Sequence, residues 1–508
     1  MITPLPAASD SKGRPCVIRN AKLLDADNWH GEAADILIIG DSIAEVAPKV
    51  EAPEGAVEFD GAGLLVHPGF ANGHTHGHNA MAKGAGDRWT LELLLVASPW
   101  NTGQRTMEDR YISAALNAAE MALKGCTAAY DLFLELPEFS VEGIHEAIRA
   151  YQDVGIRLTM APMMSDIGLY DAVPGLRDAL PPELRKAVGA YNPPHWERTF
   201  QVMEALAKNS RFDSDYVHIA ISPTIAMHCS EDFLRALRKL ADDTGLGIQS
   251  HVAESKVQLI GAQKRYNSSI VAYLNKMGII RRNFTVAHGV WLSDDDMETL
   301  AKAGASVSVN PGSNMRLGNG LPDVRRMLKH GVNVAVGTDG SASSDNQNMY
   351  EATRLTSYVS RVNGPDPAEW LTSQEAFRAA TRGGSRALGF EDHLGRIAPG
   401  AKADLVFLDL QSINWLPINN YMNQLAYAED GFSVRHVMVG GRFIVRDRKL
   451  QTIDLQALGQ RALAAHARQQ GETIAARDLY YQLEPYVASY CPGLASTPHQ
   501  VHRYCGPP

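Results

Sequence analysis

From residue 17 to 66 apolar and polar positions alternate over short runs, VIRNAKLLDA, DILIIGDSIAEVA and VEFDGAGLLV, each broken by Gly, Asp or Asn. A period of two with such breaks predicts short strands joined by turns. From about residue 68 the rhythm changes. Eight apolar, strand-like runs follow, HPGFANGH, CTAAYDLF, IRLTMAP, VHIAIS, GIQSHV, FTVAH, ASVSVN and VNVAVGTD, separated by windows with apolar residues at three- and four-residue spacing. Of these windows, MEDRYISAALNAAEMALKG, EDFLRALRKLADDTG and SDDDMETLAKAG are the clearest. The last two start at Ser-Glu-Asp and Ser-Asp-Asp and end in Gly, which predicts capped helices. Strands alternating with helices build a parallel α/β sheet, and eight strands fit a closed barrel. An open doubly wound sheet shares the pattern, but no G-x-G-x-x-G follows an early strand.

After about residue 395 the β rhythm returns in GRIAPGAKADLVFLDL and VRHVMVGGRFIVRDRKL. The two ends of the chain thus carry matching β segments around the α/β part, and are expected to meet in one sheet. From about residue 454 a helix is predicted over LQALGQRALAAHARQQGETIAARDLYYQLEP, then an irregular end with Pro, Gly and Cys. That tail carries no functional signal, and no repeat or low-complexity segment is present.

Composition narrows the field. Of 508 residues, 45% are hydrophobic and 21% charged, a globular profile. A net charge of −9 without Lys or Arg clusters argues against nucleic acid as a partner. The five cysteines, Cys16, Cys126, Cys229, Cys491 and Cys505, are scattered and form no CxxC, so neither a disulfide framework nor a sulfur-bound zinc is expected and a reducing cytoplasm fits. No secretory signal and no membrane-spanning run is read in the sequence.

The chemistry lies at the strand ends. His74 and His76, in GHTHGH, end the first barrel strand, and alternation turns both side chains to one face. His78 continues the alternation as a loop residue near the pocket. His251 ends the fifth strand, His288 the sixth and Asp339 the eighth. A parallel barrel gathers groups at the carboxyl ends of its strands, so these converge on one spot. Nitrogen and oxygen donors without sulfur suit Zn²⁺, and also Fe²⁺ or Mn²⁺, with an open position for water. Glu254, three residues beyond His251, is placed to relay protons from that water.

The segments PGFANGHTHGHNAMAKG, HVAES, VAHGVWLSDDDMETLAKAGASVSVNPGSNMRLGNG and VAVGTDGSASSDNQNMYEATRL together resemble the metal-dependent amidohydrolase superfamily. Within it they are similar to the aminohydrolase branch of triazine hydrolases and S-adenosylhomocysteine/methylthioadenosine-type deaminases. The resemblance runs over about residues 15 to 450. It implies a (β/α)8 TIM-type barrel over 67–394, a small β-sandwich from 1–66 and 395–453, and a separate tail over 454–508. It implies His74, His76, His251 and Asp339 as ligands of one divalent metal, Zn²⁺ first among the candidates. Glu254 then protonates the leaving nitrogen, His288 orients the hydroxide, and Asp339 doubles as a proton acceptor. Relatives with two metals bridge them through a Lys on the fourth strand, and VHIAIS has none. A homo-oligomer, dimer or tetramer, is expected by the same resemblance.

Two departures bear on substrate. Purine-nucleoside deaminases of this branch tend to carry Arg-Gly after the first motif and Pro-His at the end of the fourth strand. Here those places read Lys83-Gly84 and Pro223-Thr224, with His228 four residues later. By resemblance the segment from Trp89 to Trp100 forms a pocket wall or packs on the barrel rim, and Asn314 is a pocket residue or a turn former. The long connection over 163–196 is a possible lid, with Tyr170, His195 and Trp196 as candidate contacts. The reaction expected is hydrolytic deamination of an aminated purine, pyrimidine or triazine-like ring by metal-bound hydroxide. Hydrolysis of a linear amide, carbamate or urea is the alternative, and a non-enzymatic scaffold the remaining one.

Overall fold

The computed structural model describes residues 14–208, 212–391 and 393–504. Eight parallel strands run in sequential order: Phe70–Thr75, Cys126–Phe133, Arg157–Met164, Val217–Pro223, Gly247–Val252, Phe284–His288, Ser306–Val309 and Asn333–Val336. Most of their residues are buried, as expected where side chains fill the inside of a barrel and helices cover the outside. The eighth strand returns to the first: the Asp339 N–H donates to the His74 carbonyl at 2.9 Å. Gly337 permits that approach, since a Cβ there would lie 2.8 Å from the backbone N and O of His74.

The helices stop and start where the sequence marks them. Met107–Leu123 opens on a Thr106 capping box with Asp109, and Asp294–Ala303 on one formed by Ser293 with Asp296. Glu231–Thr244 is capped by Ser230 and ends at Gly245, whose φ of +74° suits a residue without a Cβ.

Both ends of the chain join one nine-stranded mixed sheet, as expected. The strand Leu64–Pro68 pairs antiparallel with Leu405–Asp409, in register Leu65 to Leu408. The predicted run HPGFANGH is two elements rather than one. His67 and Pro68 end a strand of this sheet, and the barrel begins at Phe70, because Pro68-Gly69 breaks the ladder between them. A buried bidentate pair, Arg157 to Asp404 with both N–O distances 2.9 Å, ties the third barrel strand to the sheet.

The tail departs most from expectation. It forms two helices, Leu455–Glu472 and Ile474–Ala495, and the second runs through Pro485 and Pro492 instead of ending there. Its Tyr480, Leu483 and Val487 share a buried cluster with Leu91 and Ala97 of the helix Leu91–Thr102, and that packing outweighs the local cost of proline. The 163–196 connection is partly helical, at Leu169–Ala172 and Pro182–Val188. Tyr490 of the tail donates to its Pro174 carbonyl at 2.6 Å. Among the described residues, no helix is long and apolar enough to cross a membrane.

Candidate metal centre

The strand ends bring His74, His76, His251, His288 and Asp339 together. Each imidazole is held by its Nδ1, which donates to a fixed acceptor: His74 to Gln249 Oε1 at 2.7 Å, His76 to the Leu132 carbonyl at 2.7 Å, His251 to the Thr224 carbonyl at 2.5 Å, and His288 to Asn314 Oδ1 at 2.8 Å. In that tautomer every Nε2 is a bare lone pair aimed inward. His76 Nε2 and His251 Nε2 stand 3.2 Å apart, two lone pairs facing each other. His74 Nε2 and His288 Nε2 are buried without a hydrogen-bond partner. Asp339 Oδ1 lies 3.5 Å from His74 Nε2 and 3.3 Å from His76 Nε2. Converging lone pairs and a carboxylate, without a proton between them, form a donor set that fits a divalent cation.

The protonation states agree. Burial, against the opposing pull of Asp339, lowers His76 and His288 to about 4, and burial beside other imidazoles takes His251 well below its ordinary value. All three are therefore neutral at neutral pH. Burial raises the Asp339 carboxyl, and the surrounding histidines, where they carry a proton toward it, draw it well below the usual carboxylate range. Glu254 goes the other way: burial, then the Asp339 charge, hold it well above its ordinary value. Its Oε1 is 3.5 Å from His288 Nε2 and accepts from Asn319 Nδ2 at 3.3 Å, while Oε2 accepts from Gln258. Two of these groups sit at left-handed backbone positions, His288 at φ +72° and Asp339 at φ +62°. Such strain concentrates at functional sites.

A cavity of about 70 Å³ opens beside this cluster. His76, His251, Glu254, His288 and Asp339 form its floor, and Leu91, Leu94, Leu95 and Asn101 of the helix Leu91–Thr102 form one wall. His78 also lines it, with Nδ1 accepting the Leu134 N–H at 3.1 Å. Among the described residues, no Lys or Arg lines this cavity.

The other candidate contacts fall elsewhere. Trp89 does not line the cavity but packs edge-on to Trp100 and Tyr480, at 6.0 and 5.8 Å between centroids, so its role is to seat the tail. Asn314 holds His288 rather than facing the cavity. His228 lines a second cavity of about 20 Å³ that shares Leu91, Leu95 and Ile225 with the first. His195 is exposed, stacked on Trp196, and lies outside both. Gln249 and Asn319 were not singled out in the sequence. Gln249 had a signal, since it lies two residues before His251 on the same strand and so shares its face. Asn319 lies in a loop without periodicity and had none. Cys16, Cys126, Cys229 and Cys491 are buried and free, and Cys505 lies outside the described residues.

A model of the amidohydrolase family matches residues 65–444. A 5-methylthioadenosine/S-adenosylhomocysteine deaminase of Thermococcus onnurineus is 32% identical, over 85% of this chain and 95% of its own. A 5'-deoxyadenosine deaminase of Methanopyrus kandleri is 33% identical, over 78% of this chain and 84% of its own. Among solved structures, an adenosine deaminase from Xanthomonas campestris with bound zinc superposes with a TM-score of 0.79 at 23% identity, covering 90% of this chain and 98% of that one. An atrazine chlorohydrolase from Arthrobacter aurescens complexed with zinc gives 0.79 at 24%, covering 89% and 100%.

Proposed function

The chain belongs to the amidohydrolase family, and on that premise we propose that it catalyses hydrolytic deamination of an aminated nitrogen heterocycle, with one zinc ion held by His74, His76, His251 and Asp339. The observation that carries this reading is the convergence of inward lone pairs and one carboxylate from separate strand ends, with the Glu254 carboxyl buried 3.5 Å from His288 Nε2 and pushed well above its ordinary value by burial and the Asp339 charge. When bound, the ion supplies Lewis acidity and lowers the pKa of water to about 7.

The protein's own groups do the rest. Glu254 delivers a proton to the ring nitrogen next to the attacked carbon, which makes that carbon electrophilic. Asp339 takes one proton from the attacking water and passes it to the departing nitrogen, and the hydroxyl proton of the adduct returns to Glu254 as the new carbonyl forms. A C–O bond forms, the exocyclic C–N bond breaks, and ammonia leaves. His288, locked by Asn314 with Nε2 toward the centre, orients the attacking water. The apolar wall of Leu91, Leu94 and Leu95 excludes bulk water and strengthens each of these interactions.

The cavity bears on substrate. S-adenosylhomocysteine, in the name of the 32% identical relative, carries a charged amino-acid end. With no Lys or Arg among its described lining residues to meet a carboxylate, this cavity suits a ring with an uncharged substituent, such as a deoxy- or alkylthio-nucleoside, an aminopyrimidine or an aminotriazine. A cytoplasmic homo-oligomer acting on a small molecule completes the proposal.

The test is release of ammonia from 5'-deoxyadenosine, S-adenosylhomocysteine, an aminopyrimidine and a diaminotriazine by zinc-loaded protein. Glu254→Gln is expected to keep zinc and lose turnover by at least ~100-fold. A Glu254→Gln enzyme with undiminished rate, or wild type yielding carboxylate from linear amides and no ammonia from any ring, would overturn the reading.

A further inference from the structure

The segment 499–504 lies far along the chain from the strand ends and outside the matched residues 65–444, yet it reaches the loops that hold Glu254. Arg503 donates from Nε to the Val290 carbonyl at 3.0 Å and from Nη2 to the Leu292 carbonyl at 2.9 Å, so its planar fork spans the loop that follows His288. Its own carbonyl accepts the Leu321 N–H at 2.8 Å, which ties the same residue to a second loop. Gly320 is shaped by that contact: at φ +111°, a Cβ would come within 2.9 Å of the Arg503 oxygen. Tyr504 packs edge-on to Trp291, 5.1 Å between centroids.

The two loops meet at the catalytic acid. Trp291 Nε1 donates to the Asn319 carbonyl at 2.7 Å, the Trp291 N–H donates to the Ala253 carbonyl at 2.9 Å, and Asn319 Nδ2 donates to Glu254 Oε1 at 3.3 Å. The Asn319 N–H in turn donates to the carbonyl of Asn314, the residue that aims His288. Trp291 and Asn319 are buried, so neither exchanges these partners for water.

We propose that Arg503 is a positioning residue for the reaction: by clamping the 290–292 and 319–321 loops together it sets the Asn319–Glu254 hydrogen bond and hence the direction in which Glu254 delivers its proton. This rests on Glu254 being the proton carrier. The second tail helix acts in the same sense on the opposite wall, packing on the helix Leu91–Thr102, so one stretch of chain fixes both sides of the pocket.

Arg503→Ala, Arg503→Lys, Asn319→Ala and the double variant Arg503→Ala/Asn319→Ala test it in the full-length, zinc-loaded protein. The readouts are zinc content, kcat and KM for ammonia release from 5'-deoxyadenosine and a diaminotriazine, and hydrogen exchange over 289–293 and 317–321. Arg503→Ala is expected to keep its zinc, to lose kcat about 10-fold as partners outside a metal site do, and to hold KM within about two-fold. Exchange rises in both loops and not in the barrel strands. The double variant is no slower than Asn319→Ala alone, because both act through one hydrogen bond. Arg503→Lys, which keeps the charge but cannot span two carbonyls, restores only part of the rate and serves where the alanine variant fails to fold. Undiminished kcat, or losses that add in the double variant, overturns the proposal. If wild type releases no ammonia, the functional reading falls instead; exchange then decides whether Arg503 clamps the loops, and unchanged exchange overturns that too.

Discussion

Each imidazole at the centre is aimed by what its other nitrogen touches. For His288 that partner is Asn314 Oδ1 at 2.8 Å, and the consequence is measurable. In Asn314→Ala the buried Nδ1–H loses its acceptor, the ring is free to turn or change tautomer, and Nε2 no longer presents a fixed lone pair. The expected result is a loss of roughly 10- to 100-fold in kcat with zinc retained. Metal analysis beside the kinetics separates two roles. Zinc lost together with rate would put His288 within the ligand set, since His74, His251 and His288 also lie close enough to share an ion. The residues that meet at the centre were legible because the barrel collects its strand ends: His74 and His251 lie on strands, where alternation sets their face, whereas His76 follows the strand ending at Thr75 and Asp339 lies three residues beyond the one ending at Val336. The residues that orient them were less so. Asn319 acts through loop geometry, which leaves no period in the sequence; Asn314 lies in the helix Pro311–Arg316, too short to show one; and the apolar run from Trp89 leaves open which of its faces meets a ligand and which a neighbouring helix.

At the scale of elements, CTAAYDLF, GIQSHV and FTVAH form strands with the bounds read from the sequence, since each is a short β-prone run bounded by helices and turns, whereas VNVAVGTD forms a strand only over Asn333–Val336. What escaped was decided by tertiary contact. The second tail helix continues past two prolines because its apolar face has a partner, and no local rule reveals a partner more than 350 residues away. Glycines give a sharper case, because the same substitution has opposite signs in two helices. Gly384, opening the helix Gly384–Ala387, lies so close to the first barrel strand that a Cβ would meet the Ala71 carbonyl oxygen. Gly459, in the helix Leu455–Glu472, has nothing within 4 Å of that position. Gly384→Ala is expected to cost about 3 kcal/mol through overpacking. Gly459→Ala is expected to gain about 1 kcal/mol from helix propensity. Urea unfolding midpoints check both, and equal shifts of one sign would refute the account.

At the scale of the whole molecule, two histidines that serve no catalytic purpose add to the pH dependence of stability that the site's own buried histidines, His76, His251 and His288, already impose. His67 sits where the flanking sheet meets the barrel, donating from Nδ1 to the Pro68 carbonyl and accepting the Tyr350 hydroxyl at Nε2, both at 2.8 Å. His436 lies among Phe59, Phe407 and Phe443 in the sheet's own core. Burial lowers both to about 4, against 6.5 for the unperturbed side chain; Asp447, 4.0 Å from His436, offsets that only in part. Above pH 6.5 both are neutral whether the chain is folded or not, and they add no pH dependence. Between 6.5 and 4 the unfolded chain takes up protons that the folded one refuses, so stability falls as pH falls, and each histidine contributes at most about 3 kcal/mol to that loss by its acid end. The measurement is unfolding free energy at pH 7, 6 and 5 with the metal chelated, so that release of an ion does not add to the slope. His436→Phe keeps an aromatic ring among the three phenylalanines and cannot be protonated, so its stability should fall less steeply over the same range. A slope identical to that of the wild type would mean that acid enters elsewhere, and the aromatic core around His436 would lose its place among the pH-sensitive parts of the fold.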